Sequence, residues 1–187
     1  MDFFSSKIIK WYSQHKRELP WRNTKDPYKI WLSEIILQQT QVKQGLPYYQ
    51  KFIKIFPNVS ALANANEEQV LKLWQGLGYY SRARNLHFAA KQIHQSGFFP
   101  KKYKEIIALK GVGEYTAAAI ASFAFKLPYA VLDGNVFRLL SRFYGIDTPI
   151  NTHTGKKEFS EIAQALLAKE EPDIPAPTMA NFINIFY

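Results

Sequence analysis

Apolar positions recur at a helical period along almost the whole chain. Phe4, Ile8 and Trp11/Tyr12 predict a first helix ending near His15. Trp31, Leu32, Ile35, Ile36 and Val42 make one face of a longer helix from Tyr28 to about Gln44. Gly45 and Pro47 predict a break there, with a shorter helix from Tyr48 to Phe56 stopped by Pro57. A turn-length helix over Leu62 to Ala65 follows. Asn66-Glu67-Glu68-Gln69 then reads as a capping box opening a helix through Trp74. A glycine-rich start at Gly76-Leu77-Gly78 leads into a helix reaching about Gln95. Tyr103 to Leu109 and Thr116 to Phe125 are two apolar helices separated by Gly111-Val112-Gly113, and Val136 to Tyr144 is a third. Phe159, Ile162, Ala163, Leu166 and Leu167 form an amphipathic helix ended by Pro172, Pro175 and Pro177, before a last apolar run from Met179 to Tyr187. No stretch alternates at period two for long. The predicted fold class is all-α.

Composition narrows the partners. The 187 residues, 47% hydrophobic, suffice for a sizeable core. A net charge of +9 with 16% aromatic residues favours a polyanionic partner. No apolar run approaches a membrane span, and no signal peptide precedes Trp11, so the expectation is a cytoplasmic protein, nucleoid-associated if bacterial. The absence of cysteine excludes disulfides and thiolate metal sites within these residues, and no metal site is predicted in this chain.

Several clusters carry candidate chemistry. A helix starting after Gly111-Val112-Gly113 points free N–H groups outward and can hold an anion such as a DNA phosphate; the same pattern also makes a tight corner between helices. Asp133 stands ahead of a helix, where a carboxylate serves as a cap or as a reactive group. Glu34 lies between Trp31 and Ile35 at the margin of an apolar face. Partial desolvation there raises its pKa and holds a proton for general acid work; the alternative is a side chain facing water. Gln38, Gln39, Thr40 and Gln41 are polar in a row, and amides can replace hydrogen bonds a base loses when its partner leaves. Arg17, Leu19, Trp21 and Arg22 mix guanidinium groups with an indole, suited to cradling a base or plugging a groove. Tyr79, Tyr80, Arg82 and Arg84 combine wedging rings with phosphate-clamping cations. His87 and His94, without a carboxylate cluster, read as packing or surface residues.

Taken together, Leu19-Pro20-Trp21-Arg22, Trp31-Leu32-Ser33-Glu34, Leu37-Gln38-Gln39-Thr40-Gln41-Val42, Gly76-Leu77-Gly78-Tyr79-Tyr80 and Leu132-Asp133-Gly134-Asn135-Val136 resemble the adenine DNA glycosylases of the MutY type. These lie within the helix-hairpin-helix DNA glycosylase superfamily. The likeness runs from Trp11 to about Ala168, with the hairpin at 109–120.

The resemblance implies a six-helix barrel over 23–126 and a second helical unit formed by 1–22 and 127–187, incomplete at its C-terminus. It implies a monofunctional glycosylase acting on adenine mispaired with 8-oxoguanine or guanine in double-stranded DNA, by base flipping, as a monomer. Glu34 would be the general acid and Asp133 the stabiliser of an oxocarbenium-like sugar, supported by Asn135 and Tyr115. Arg17, Leu19, Trp21 and Arg22 would line the adenine pocket. Gln38, Gln39, Thr40 and Tyr79 would meet the lesion and the stack, and Gly111, Val112, Gly113, Arg82 and Arg84 the phosphates. In relatives resembling endonuclease III a lysine nucleophile stands where this chain has Tyr115, which cannot form a Schiff base. A glycosylase/lyase for oxidised pyrimidines and a non-catalytic DNA-binding fragment are the alternatives. The family normally continues into four cysteines holding a 4Fe-4S cluster, and often into a further lesion-reading domain. This sequence stops short of both, and the expectation is a labile chain, weakly active or inactive, that binds no cofactor.

Overall fold

The computed structural model describes residues 3–168. Ten α-helices and one 3-10 turn order them: α1 Phe3–His15, the 3-10 turn Pro20–Arg22, α2 Pro27–Leu37, α3 Val42–Ile55, α4 Val59–Ala63, α5 Glu67–Trp74, α6 Ser81–Ser96, α7 Tyr103–Ile107, α8 Glu114–Phe125, α9 Gly134–Tyr144 and α10 His153–Ala168. No strand occurs among the described residues, and no helix there is long and apolar enough to cross a membrane. The prolines at 172, 175 and 177 and the apolar run 179–187 lie outside the described residues.

Most starts and stops follow local chemistry. Asp26 caps α2 by accepting from the Tyr28 N–H at 3.0 Å, with Pro27 at the first helical position. The capping box at Asn66 forms with Gln69. Gly97 and Gly145 end α6 and α9 in the left-handed conformation that glycine takes without strain.

One boundary departs from the sequence reading. The helix begun at Tyr28 ends at Leu37, not near Gln44, because the chain turns at Gln39, whose φ is +56°. Gln41 then precedes α3, which runs through both Gly45 and Pro47. Pro47 lies early in α3 and removes one ladder bond without ending the helix. Gly45 favours closeness: a Cβ on it would stand 2.8 Å from Leu37 Cδ2 and 3.2 Å from Ile36 Cγ2, so a larger residue makes these side chains shift where α3 packs on α2.

Two cores result. The larger joins the 3-10 turn with α2, α3, α5 and α6 around the fully buried Trp31, Phe52 and Trp74. The smaller gathers Phe4, Val131, Val136, Leu140, Phe159, Ala163 and Leu166 from α1, α9, α10 and the segment before α9. Helix α8 serves both: Ala117, Ile120 and Ala121 face the larger core, Ala118 and Ala119 the smaller. Its alanines let α2 pack closely against it. Leu19 and Trp21, assigned by sequence to the 1–22 side, pack in the larger core, where Trp21 meets Tyr49 edge-on at 5.0 Å.

Candidate active site

Glu34 sits in the last turns of α2 between the buried Ser33 and Ile35, and is itself half-buried. Burial pushes its carboxyl up from 4.5 to about 7; Asp133 pushes the same way, and a hydrogen bond with the Tyr115 side chain opposes both. Tyr115 reaches it because α2 packs on α8 and Tyr115 is in the first turn of α8. Gln38 Nε2 donates to Thr116 Oγ1 at 3.3 Å, tying the end of α2 to the same turn.

Asp133 caps α9. Its Oδ1 accepts from the Asn135 N–H at 3.0 Å and the Val136 N–H at 2.8 Å, while Oδ2 accepts from Asn135 Nδ2 at 3.1 Å. Asn135 Oδ1 in turn accepts from Arg138, a residue the sequence reading passed over. Three donors thus fix the carboxylate's orientation. The cap is also the candidate site residue, and it lies close enough to Glu34 to push that carboxyl's pKa upward.

A cavity of about 520 Å³ opens beside α2 and α3, lined by Arg17, Leu37, Gln39, Thr40, Gln41, Val42 and Lys43. It brings Arg17 together with Gln39 and Thr40, which the sequence placed in separate groups. Of the other predicted pocket residues, Leu19 and Trp21 are buried in the core, and Arg22 donates to the Arg17 carbonyl at 3.0 Å, shaping the loop. Leu37, Val42 and Lys43 went unnoticed as lining residues, Val42 because the sequence pattern placed it on a helix face. A second cavity, about 400 Å³, borders Tyr115 with Glu114, Lys156 and the stacked pair Tyr103 and Tyr129.

The predicted phosphate contacts divide. Gly111 takes φ +78°, and a Cβ there would lie 2.6 Å from Asn85 Cβ, so this glycine is required by the hairpin itself. Val112 is a correction: its side chain is buried in the larger core and its N–H donates to the Leu109 carbonyl at 3.1 Å, so it offers a phosphate no free donor. Gly113 precedes α8 with open space around it, and Ala117 donating to its carbonyl begins the helix ladder. The N–H groups before that point have no carbonyl within the helix.

Arg82 is the second correction. Its Nη1 points at the carbonyls of Ile35, Ile36 and Gln38, its Nη2 at those of Leu77 and Gly78, and its Nε is buried. This guanidinium holds backbone together and is not presented to a phosphate. Arg84 stays on the surface in a 3.5 Å ion pair with Glu67, worth little by itself. Tyr79 is 66% exposed. His87 is buried between helices and His94 meets Ser60, as packing and surface residues.

The 187 residues contain no thiolate, and the described ones contain no group of three or more His, Asp or Glu side chains able to hold a metal ion. An iron–sulfur cluster does not fit the donors present, and no chemical step here involves one.

The model of the HhH-GPD superfamily of base excision DNA repair proteins matches residues 32–167. The chain belongs to that superfamily. It is 52% identical over 147 residues to the adenine DNA glycosylase of Buchnera aphidicola subsp. Baizongia pistaciae, covering 77% of this chain and 42% of that protein. It is 39% identical over 180 residues to the adenine DNA glycosylase of Mus musculus, covering 90% of this chain and 35% of the mouse protein. The chain therefore spans less than half the length of these curated relatives. A thermostable thymine-DNA glycosylase superposes with a TM-score of 0.84 at 27% identity, over 98% of this chain and 82% of the other. Endonuclease III in a non-covalent DNA complex superposes at 0.76 with 16% identity, over 97% and 81%. The fold is thus that of the helix-hairpin-helix DNA glycosylases, as the sequence motifs led one to expect.

Proposed function

We propose that the protein is a monofunctional DNA glycosylase that excises adenine mispaired with 8-oxoguanine or guanine in double-stranded DNA. The observation that carries this reading is the pair formed by Glu34, held protonatable near neutrality, and Asp133, fixed by three N–H donors. Glu34 donates its proton to the leaving adenine as the bond from the sugar to the base breaks. Asp133 lowers the energy of the cationic sugar, and water then completes the abasic site, releasing a proton. The adenine would enter beside Arg17, with Gln39 and Tyr79 meeting the stack it leaves. The curated relatives bear the name adenine DNA glycosylase, which supports this substrate. The protein would act as a monomer, with the larger core, Leu19 and Trp21 included, as one unit and α1, α9 and α10 as the other.

Single-turnover excision from a duplex with adenine opposite 8-oxoguanine tests the reading; no release of adenine at saturating protein overturns it. With Tyr115 at the position of the lyase lysine, the product should be an intact abasic strand that breaks only under alkali or heat. Borohydride should trap almost no protein–DNA adduct. Efficient trapping would mean that some other amine attacks the sugar.

The hairpin makes a separate prediction. At Gly113 an added Cβ meets nothing within 4 Å and φ is negative, so with leucine there the protein should still fold, losing about 1 kcal/mol at the start of α8. It should bind every duplex roughly tenfold more weakly, because backbone N–H groups grip phosphate and not base. Titrations of matched and mismatched duplexes at several salt concentrations measure this. A loss confined to one mismatch would contradict a phosphate role.

A further inference from the structure

Two turns, one lining the cavity at Gln39 and one carrying Tyr79, share an unusual backbone. Gln39 takes φ +56° and Tyr79 φ +45°, a left-handed conformation that costs a non-glycine residue of order 1 kcal/mol. Both side chains are exposed, so packing of the side chains themselves does not enforce the geometry. One residue touches the backbone of both turns. Arg82 reaches the Gln38 carbonyl, one residue before Gln39, and the Leu77 and Gly78 carbonyls, which lead into Tyr79. The same guanidinium reaches Ile35 and Ile36, the residues after Glu34, and lies 5.1 Å from the Trp74 ring and 5.6 Å from the Tyr79 ring.

We propose that Arg82 is a positioning residue that presets Gln39 and Tyr79 as a pair of probes for the DNA stack and locks them to the helix carrying Glu34. This rests on the reading of the protein as a base-flipping glycosylase. The planar fork matters more than the charge: a lysine ammonium offers three donors around one point and cannot serve the two sets of carbonyls that Nη1 and Nη2 reach at separate edges of the guanidinium. Neither loop then keeps its left-handed residue at low cost. The probes relax, and the ordering they had before binding must be recovered when DNA arrives.

The test is Arg82→Lys in the full chain, on a duplex carrying a tetrahydrofuran abasic analogue opposite guanine with 2-aminopurine beside it. The wild-type protein should change the 2-aminopurine fluorescence at saturation by inserting a side chain into the stack. Arg82→Lys should lose at least two-thirds of that change while keeping the salt dependence of binding, since no phosphate contact is removed. Tyr79→Ala in the Arg82→Lys background should add little further loss. A normal fluorescence change with only a lowered melting temperature would make Arg82 merely structural and overturn the proposal. A salt slope reduced by about one would restore a phosphate contact and overturn it too. Should Arg82→Lys fail to fold, Gly78→Ala replaces it. Its added Cβ meets nothing within 4 Å, but φ +69° disfavours alanine and shifts the carbonyl that Arg82 holds. The same fluorescence loss is expected, and a wild-type signal overturns the proposal. A wild-type protein that changes the fluorescence yet releases no adenine defeats the adenine reading and leaves the positioning role standing. A wild-type protein that produces no fluorescence change defeats the positioning role, whatever its excision activity.

Discussion

Glu34→Gln should reduce single-turnover excision of adenine by roughly 10²–10⁴-fold, the contribution of general acid catalysis, because the amide has no proton to give. Affinity for the mismatched duplex should stay within a few-fold, since the amide keeps the shape and polarity of the carboxyl. The same substitution should stabilise the protein at alkaline pH. Burial lifts the Glu34 carboxyl from 4.5 to about 7, so between those values the folded protein keeps a proton that the unfolded chain has released. Native stability therefore falls as pH rises through that window. Below it the effect is absent, and above about pH 7 the penalty is fully present, of order 3 kcal/mol by linkage. Glutamine escapes it. Thermal unfolding of both proteins at pH 4 and pH 8.5 should show a gain for the variant only at the higher pH. Excision by the wild type should decline above about pH 7 for the same reason. Retained excision by Glu34→Gln, or a pH-independent stability difference, would remove Glu34 from the acid role.

Asp133→Asn should separate structure from chemistry in the opposite way. The carbonyl oxygen of asparagine can still accept from the Asn135 and Val136 N–H groups, so α9 keeps its cap and stability should change by about 1 kcal/mol or less. The negative charge disappears, and the new amide meets Asn135 Nδ2, donor against donor, where Oδ2 had accepted. Excision should fall by roughly 10²–10³-fold, the size typical of losing one preorganised electrostatic partner of a transition state. Asp133→Ala should lose both, with about 1 kcal/mol or more of stability gone with the cap. If Asp133→Asn cleaves at the wild-type rate, the residue is only a cap.

Much of this architecture was legible because it is local. The Asn66 capping box, the alanine run of α8, the Gly-Val-Gly turn and the aspartate before α9 are each decided by a few neighbouring residues, and each lies where its sequence put it. Glu34 could be picked out from one helical face alone. The misplaced boundary after α2 came from reading Gly45 and Pro47 as breakers. Tertiary contact reversed both: glycine bought closeness to Leu37, and an early proline was tolerated. The break at Gln39 carries no local signal, since glutamine is not a turn former; it depends on a guanidinium 43 positions further along the chain. Arg82 misled for the same reason. Sequence shows an arginine at a glycine-rich helix start, but not that five carbonyls already surround it. Val112 likewise gave no hint that its N–H was committed to Leu109.

Helix α8 has a consequence for how this chain tolerates change. It stands between the two cores and packs on the helix of Glu34, and the residues it offers on either side are mostly alanines. Alanine has no rotamers, so the wall has nothing to rearrange when a neighbour changes. The spacing of α2 from α8 is therefore set by backbone against backbone, not by the reach of any side chain. Substitutions deep in either core can repack on their own side while the α2–α8 spacing stays unaltered. An enlarged residue within 117–121 has no such freedom, because it would push both halves of the molecule apart at once.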